Sequence, residues 1–230
     1  MTTLDMNFYF LYLCANSLIS ELPLFFREHK SRIYSVEAYY LAKTLAELPY
    51  FIAGAFLYAI IVYWATGLFP AFSNFVIYVG LCVLQVLVAT SIAYAGACLF
   101  AEMSLFTTVM PMFIVPMLSF AGFYLPLGDT PVFLRFYVFI SWFHYTYENL
   151  MINQWQAVTQ IEGCTFVNAT SYPAAGLCPA LDGGGILALR DMHPDNFTTN
   201  ILTLVAMIIF YRSIGLAFLF LRARYQKSDY

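Results

Sequence analysis

The sequence predicts an all-α integral membrane protein, a polytopic helical bundle with five spans. Three observations carry this. Hydrophobic residues make up 62% of the chain and charged residues 10%, where a soluble domain carries about 25% charged residues; mean hydropathy is +0.74. No charged side chain occurs from Leu48 to Ala101, from Met103 to Gly128, or from Asn196 to Tyr211. The basic residues, finally, gather at two places that fall on one side of a membrane.

The elements follow in order, since a crossing helix needs roughly 20 mostly apolar residues. The first span covers about residues 6–26, with Pro23 marking its end, and the charged run Arg27-Glu28-His29-Lys30-Ser31-Arg32 follows. The second covers about 38–64 and the third about 72–98, separated by a turn-like Thr66-Gly67-Leu68-Phe69-Pro70. A short link containing Glu102 leads to the fourth, about 105–125. A mixed region of about 126–199 precedes the fifth span, about 200–221, and a basic tail.

Arg27, Lys30 and Arg32 follow the first span, and Arg222, Arg224 and Lys227 follow the fifth; these are six of the ten Lys and Arg. The positive-inside tendency puts both clusters in the cytoplasm. Threading five spans puts Gly67 and Pro126 outside and Glu102 inside, so charge bias and span count agree. The N-terminus then starts outside. The abrupt start, with a span under way by Asn7, is expected of the back part of a longer protein whose preceding span and domain lie upstream.

The region of about 126–199 is therefore expected outside. Asn168-Ala169-Thr170 and Asn196-Phe197-Thr198 are N-glycosylation sequons. Cys164 and Cys178 are its two cysteines, and an oxidising compartment favours a disulfide between them. Residues 132–155 are aromatic but interrupted by Arg135, His144 and Glu148. They read as helices dipping back into the outer leaflet, where Trp and Tyr prefer the interface.

No G-x-x-x-x-G-K-[ST], H-E-x-x-H or C-x-x-C motif occurs. Gly183-Gly184-Gly185 reads as a flexible loop, and His29, His144 and His193 are too scattered for a metal site. The sequence assigns no catalytic residue, no metal and no cofactor to this chain, and no nucleic-acid partner.

One charge lies deep. Arg212 precedes Arg222 by ten residues, on the order of 15 Å along a helix. An Arg at mid-bilayer costs about 2.5–3.5 kcal/mol on insertion scales. Glu47 is the expected partner by depth, with Lys43 one turn away sharing its carboxylate; Glu102 and snorkelling to the inner interface are the alternatives. Ala89, Ala93 and Ala97, with Gly96 adjacent, form either a helix-packing stripe or an ordinary lipid-facing run of alanines.

An ordered set of motifs then carries a resemblance. Glu21-Leu22-Pro23, Phe26-Arg27-Glu28-His29, Tyr34 and the run Ala38 to Pro49 open it. Phe120 to Tyr124, Ser141-Trp142-Phe143, Tyr147 to Trp155, Tyr211-Arg212 and Leu221 to Arg224 complete it. Nearly the whole chain is similar to the transmembrane domain of G-subfamily (White-type) ABC half-transporters, and Ile152-Asn153-Gln154-Trp155 leans toward the White/Scarlet eye-pigment branch.

The resemblance implies a dimer of halves, with a second half-transporter (the same or a different chain), a nucleotide-binding domain and membrane lipids as partners. ATP and Mg would bind in that domain, absent from these residues, so this chain would not be an enzyme by itself. It implies movement of small hydrophobic or aromatic metabolites (pigment precursors) or lipids, across the plasma membrane or a vesicle or granule membrane. The alternative is a non-transporting scaffold or a dominant-negative dimer partner. Arg27, Glu28 and Lys30 would lie in the coupling segment that touches the nucleotide-binding domain; a basic stop signal is the alternative for them. Val115 and Leu118 would face a central cavity, with Phe123 and Tyr124 as an apolar plug above it. Cys14 would stand where the family's drug exporter has a cavity phenylalanine.

Overall fold

The computed structural model describes residues 2–124, 135–161, 180 and 182–225. In chain order the helices are α1 (Thr2–Lys30), α2 (Val36–Ala65), α3 (Phe72–Phe100), α4 (Met103–Ser119), α5 (Arg135–Ile140), α6 (Trp142–Trp155), α7 (Gly183–Leu189) and, after a 3₁₀ turn at Pro194–Asn196, α8 (Phe197–Tyr225). Among the described residues there is no strand. The all-α polytopic bundle expected from composition is the fold.

Helix α3 is the axis of the bundle, packing against α1, α2, α4, α6 and α8. Its inner half is small and apolar, and every residue from Val88 to Cys98 is buried. Ala89, Ala93 and Ala97 are 0% exposed, so the alanine stripe faces protein. Small side chains let backbones approach closely where lipid offers no hydrophobic drive to association. A Cβ at Gly96 would lie 2.9 Å from the Phe106 ring, which is how α4 reaches this helix. One at Gly215 of α8 would lie 2.7 Å from the Tyr40 hydroxyl and 3.3 Å from the Ala95 backbone.

Among the described residues four helices are long and apolar enough to cross a membrane: residues 6–30, α2, α3, and the 3₁₀ turn with α8. Pro23 does not end the first; α1 runs on to Lys30, with the proline inside it. Pro23 lacks the N–H that would otherwise bond Ile19 O, a single lost backbone bond that a membrane helix tolerates inside a bundle. The expected fourth span is shorter than predicted. α4 has 17 residues, about 25 Å, against a hydrocarbon core of about 30 Å. Phe120 N–H still bonds Pro116 O, and Ala121 N–H tightens onto Leu118 O. Gly122, at φ 91°, then turns the chain away.

Gly183 to Gly185 are not a loop but the first turn of α7. Asp182 caps it, accepting from Gly185 N–H at 2.9 Å. The aromatic stretch expected to dip into the outer leaflet forms α5 and α6. The second of these is anchored against the bundle at the end where α3 begins: Asn74 Nδ2 donates to Asn153 O and Asn153 Nδ2 to Asn74 O.

Candidate functional site

A polar cluster lies inside the bundle where α1, α2, α3 and α8 meet. Lys43 Nζ sits 2.5 Å from Glu21 Oε1 and 2.8 Å from Glu47 Oε1. Ser17 Oγ donates to Glu47 Oε1 at 2.6 Å, and Tyr94 donates to Glu47 Oε2 at 2.6 Å. The spacing is helical: Lys43 and Glu47 stack one turn apart on α2, and Ser17 and Glu21 do so on α1. Side-chain exposure grades from 11% at Lys43 and 16% at Glu47 to 45% at Glu21. The cluster thus opens along the α1–α2 face.

Arg212 enters from α8 but does not touch Glu47. Its Nε donates to Ser91 Oγ at 3.0 Å and its Nη1 to Thr44 Oγ1 at 2.9 Å. Its guanidinium lies 4.3 Å from the centre of the Tyr94 ring. The direct Glu47–Arg212 contact expected from depth is therefore corrected: Lys43, Ser17 and Tyr94 occupy the carboxylate. Glu102, the alternative partner, is the exposed N-cap residue of α4 with no side-chain cap bond. Sequence reasoning missed Ser17, Glu21, Thr44, Ser91 and Tyr94. The signal for Glu21 was there, a carboxylate in α1 at the depth of Lys43.

The second feature is the turn after α4. Val115 is exposed and Leu118 half-buried. Phe123 packs its ring edge-on against Tyr147 at 5.6 Å and Tyr124 at 4.9 Å. Three side chains hold the surrounding backbone, two from the start of α6 and one from the end of α7. Ser141 Oγ donates to Met117 O at 2.8 Å, His144 Nδ1 sits 3.2 Å from Ala121 O, and Arg190 Nη1 reaches Gly122 O and Phe123 O. Cys14, expected near this path, is instead buried in the core with its thiol toward Thr90 O. The exposed residues of α1 include Tyr9 and Asn16, and those of α4 include Met112 and Phe113.

Between α6 and α8 a carboxylate is buried. Glu148 accepts from Asn200 Nδ2 at 2.7 Å, Asn196 Nδ2 at 3.1 Å and His193 N–H at 3.4 Å. His144 Nε2 lies 3.9 Å away. Burial pushes the His144 imidazole below its ordinary range, opposed by the Glu148 charge. Asn196, expected as a glycan acceptor, is exposed, and its side-chain nitrogen, the atom a glycan would take, donates to Glu148. Asn168, Cys164 and Cys178 lie outside the described residues.

At the opposite end, Arg27 is exposed and Glu28 bonds the Tyr34 hydroxyl. His29, Tyr34 and Tyr39 each stack with Phe25 in an aromatic pile. Burial, then the Glu28 bond, push Tyr34 up to about 12. Lys30 is exposed in the last turn of α1. Arg222 does more than orient: its Nη1 donates to Cys98 O and Leu99 O, the closing carbonyls of α3. Cations there complement both orphan carbonyls and helix dipole.

Comparisons with known proteins place this architecture. Residues 1–155 match the family of ABC-2 type transporters. The ABC transporter ATP-binding protein/permease wht-1 of Caenorhabditis elegans is 34% identical over 219 residues, 95% of this chain and 32% of that protein. Protein white of Drosophila melanogaster is 35% identical over 221 residues, 96% of this chain and 31% of that protein. Protein scarlet of Drosophila melanogaster is 27% identical over 219 residues, 93% and 31% respectively. The chain thus spans just under a third of the length of these relatives. Four membrane-length helices, the α3-centred packing and this match make it an integral membrane protein, and the chain belongs to the ABC-2 type transporter family as a White-type, G-subfamily membrane domain.

Proposed function

We propose that this chain is the transmembrane half of an ATP-driven transporter, working as a dimer, that moves small hydrophobic or aromatic metabolites, pigment precursors among them, or lipids. The observation that carries the reading is the set of exposed, mostly apolar side chains on α1 and α4, two helices in contact. Tyr9, Met112, Phe113 and Val115 are each more than half exposed, and Asn16 of α1 is an exposed polar residue. A second half placed against these side chains would enclose an apolar cavity with a polar contact, suited to aromatic and amphipathic cargo. Phe123 and Tyr124 close its outer end. The nucleotide, with Mg, would act in a separate domain contacting Arg27, Glu28 and Lys30, and the membrane would be the plasma membrane or that of a vesicle or granule.

The test is ATP-dependent flux in vesicles holding the full-length protein with its nucleotide-binding domain. The probes are a panel of aromatic amino-acid metabolites, purines and fluorescent phospholipids. Flux of at least one probe, lost in Phe123→Ala/Tyr124→Ala, is expected. No flux of any probe from a dimeric, ATP-hydrolysing protein would favour the scaffold instead.

A further inference from the structure

We propose that Arg190 is the positioning residue that holds the outer turn after α4 closed, so that the external helix α7 sets the state of the mouth. The inference rests on the reading of Phe123 and Tyr124 as the closure of the pathway.

The turn needs outside support. Beyond Ser119 the chain leaves the α-helical ladder, and Gly122 at φ 91° redirects it. The carbonyls of Gly122 and Phe123 then lie beyond the reach of α4's own N–H groups. In an apolar environment a backbone carbonyl without a donor costs several kcal/mol. Arg190 supplies that donor to both, at 3.4 and 3.3 Å from a single guanidinium nitrogen. Its charge also faces the C-terminal end of α4, the negative end of that helix's dipole.

Arg190 is itself held from behind. Gly183 lies so close to the end of α6 that a Cβ there would fall 1.9 Å from Trp155 O, and its N–H donates to Val158 O at 2.9 Å. Leu187 and Met192 are buried against Ile152. Helix α7 is thus pinned to α6 at its start and packed on it along one face, and Arg190 projects from its far end onto the turn. Phe123 meets Tyr147 of the same α6. Moving α7 away from α6, or withdrawing the guanidinium, releases the Gly122 and Phe123 carbonyls, while the α6 contacts at Met117 O and Ala121 O stay in place. A Lys at this position keeps the charge and one donor at a time, so it should restore most of the hold.

The experiment is hydrogen–deuterium exchange of the full-length transporter in lipid nanodiscs, read on peptides covering residues 117–124. Arg190→Ala should raise exchange there by roughly tenfold, because the turn opens locally rather than with the bundle. Arg190→Lys should stay within about threefold of the parent. Exchange in α3 and α8 should not move. Unchanged exchange at 117–124, or a rise spread evenly over α3, α6 and α8, would overturn the proposal. If Arg190→Ala does not fold, Arg190→Gln is read by the same two outcomes. Flux in Phe123→Ala/Tyr124→Ala tests the pathway reading separately. Parent-like flux there with a localised exchange change in Arg190→Ala would keep the hold and discard the plug.

Discussion

Arg212 and Glu47 share one aromatic ring without touching each other. The Tyr94 ring lies 4.3 Å from the guanidinium, and its hydroxyl donates to the Glu47 carboxylate at 2.6 Å. The cation rests on the negative face of the ring, and the anion takes the proton at its edge. Ser91 and Thr44 each accept one bond from the guanidinium, and each is a small residue on a neighbouring helix. With Lys43 between Glu21 and Glu47, two cations and two carboxylates form a nearly neutral set. That balance is what makes four charges tolerable inside a membrane bundle.

Tyr94→Phe keeps the ring and removes the hydroxyl. It should cost about 1 kcal/mol, near the range of polar contacts measured between membrane helices. Tyr94→Leu, which also removes the cation–π contact, should cost a further ~1 kcal/mol. Exchanging Glu47 and Arg212 should not restore stability, because they are not direct partners. Unfolding of the purified protein in mixed micelles checks all three, and a rescue by the exchange would contradict the Tyr94 bridge.

Lys43→Met should be the most damaging single change in the cluster. It leaves Glu21 and Glu47 without their shared cation, and because the cluster is only part-buried the cost should fall below the about 3–5 kcal/mol of breaking a fully buried pair. Adding Glu47→Gln should recover part of this, since one unpaired charge then disappears. Folded yield and unfolding midpoint of the single and double variants measure it. A double variant no better than the single would mean that Lys43 acts through packing.

The long helices were legible because lipid imposes a simple rule, that charge-free stretches of sufficient length cross. Arg212 was legible as needing protein partners for the same reason. Its partners were not, because Ser91, Thr44 and Tyr94 look ordinary in a helix until packing brings them to one level. Pro23 misled, since an interior proline costs a membrane helix one backbone bond and need not end it. The shortness of α4 was hidden because Phe120 to Leu125 is as apolar as the helix before it, and only Gly122 marks the turn. Gly183 to Gly185 read as a loop by composition, yet the first glycine is required by contact with Trp155 O.

Close packing along α3 predicts a sharp size limit. Ala93→Leu should destabilise by about 1–3 kcal/mol, the usual cost of overpacking a filled core. Gly96→Ala should also destabilise, since the Phe106 ring would have to shift to clear the new methyl. Gly80, with nothing near its Cβ position, should accept Ala freely. Thermal melting of the three variants in one detergent compares them. Equal melting of Ala93→Leu and the parent would contradict the burial of the stripe.

Protonation of His144 should weaken the end of the bundle where α6 packs against α4 and α8. The imidazole is held between Ala121 O and the Glu148 carboxylate, which is also bonded by Asn196, Asn200 and the His193 backbone. Burial pushes its pKa down, more strongly than the Glu148 charge pushes it up. In the unfolded chain the same imidazole titrates near about 6.5. Below that pH the unfolded state binds more protons than the folded one, so stability falls as pH falls from about 7 to 5. Above about 6.5 both states are neutral at this site, and the contribution is flat. His144→Gln keeps a side chain able to bond the Ala121 carbonyl but cannot titrate. The difference in melting temperature between parent and variant should therefore shrink or reverse in the variant's favour as pH drops through this window. A difference that stays constant from pH 7 to 5 would mean that His144 does not change protonation there, and that the pH dependence of the fold arises elsewhere.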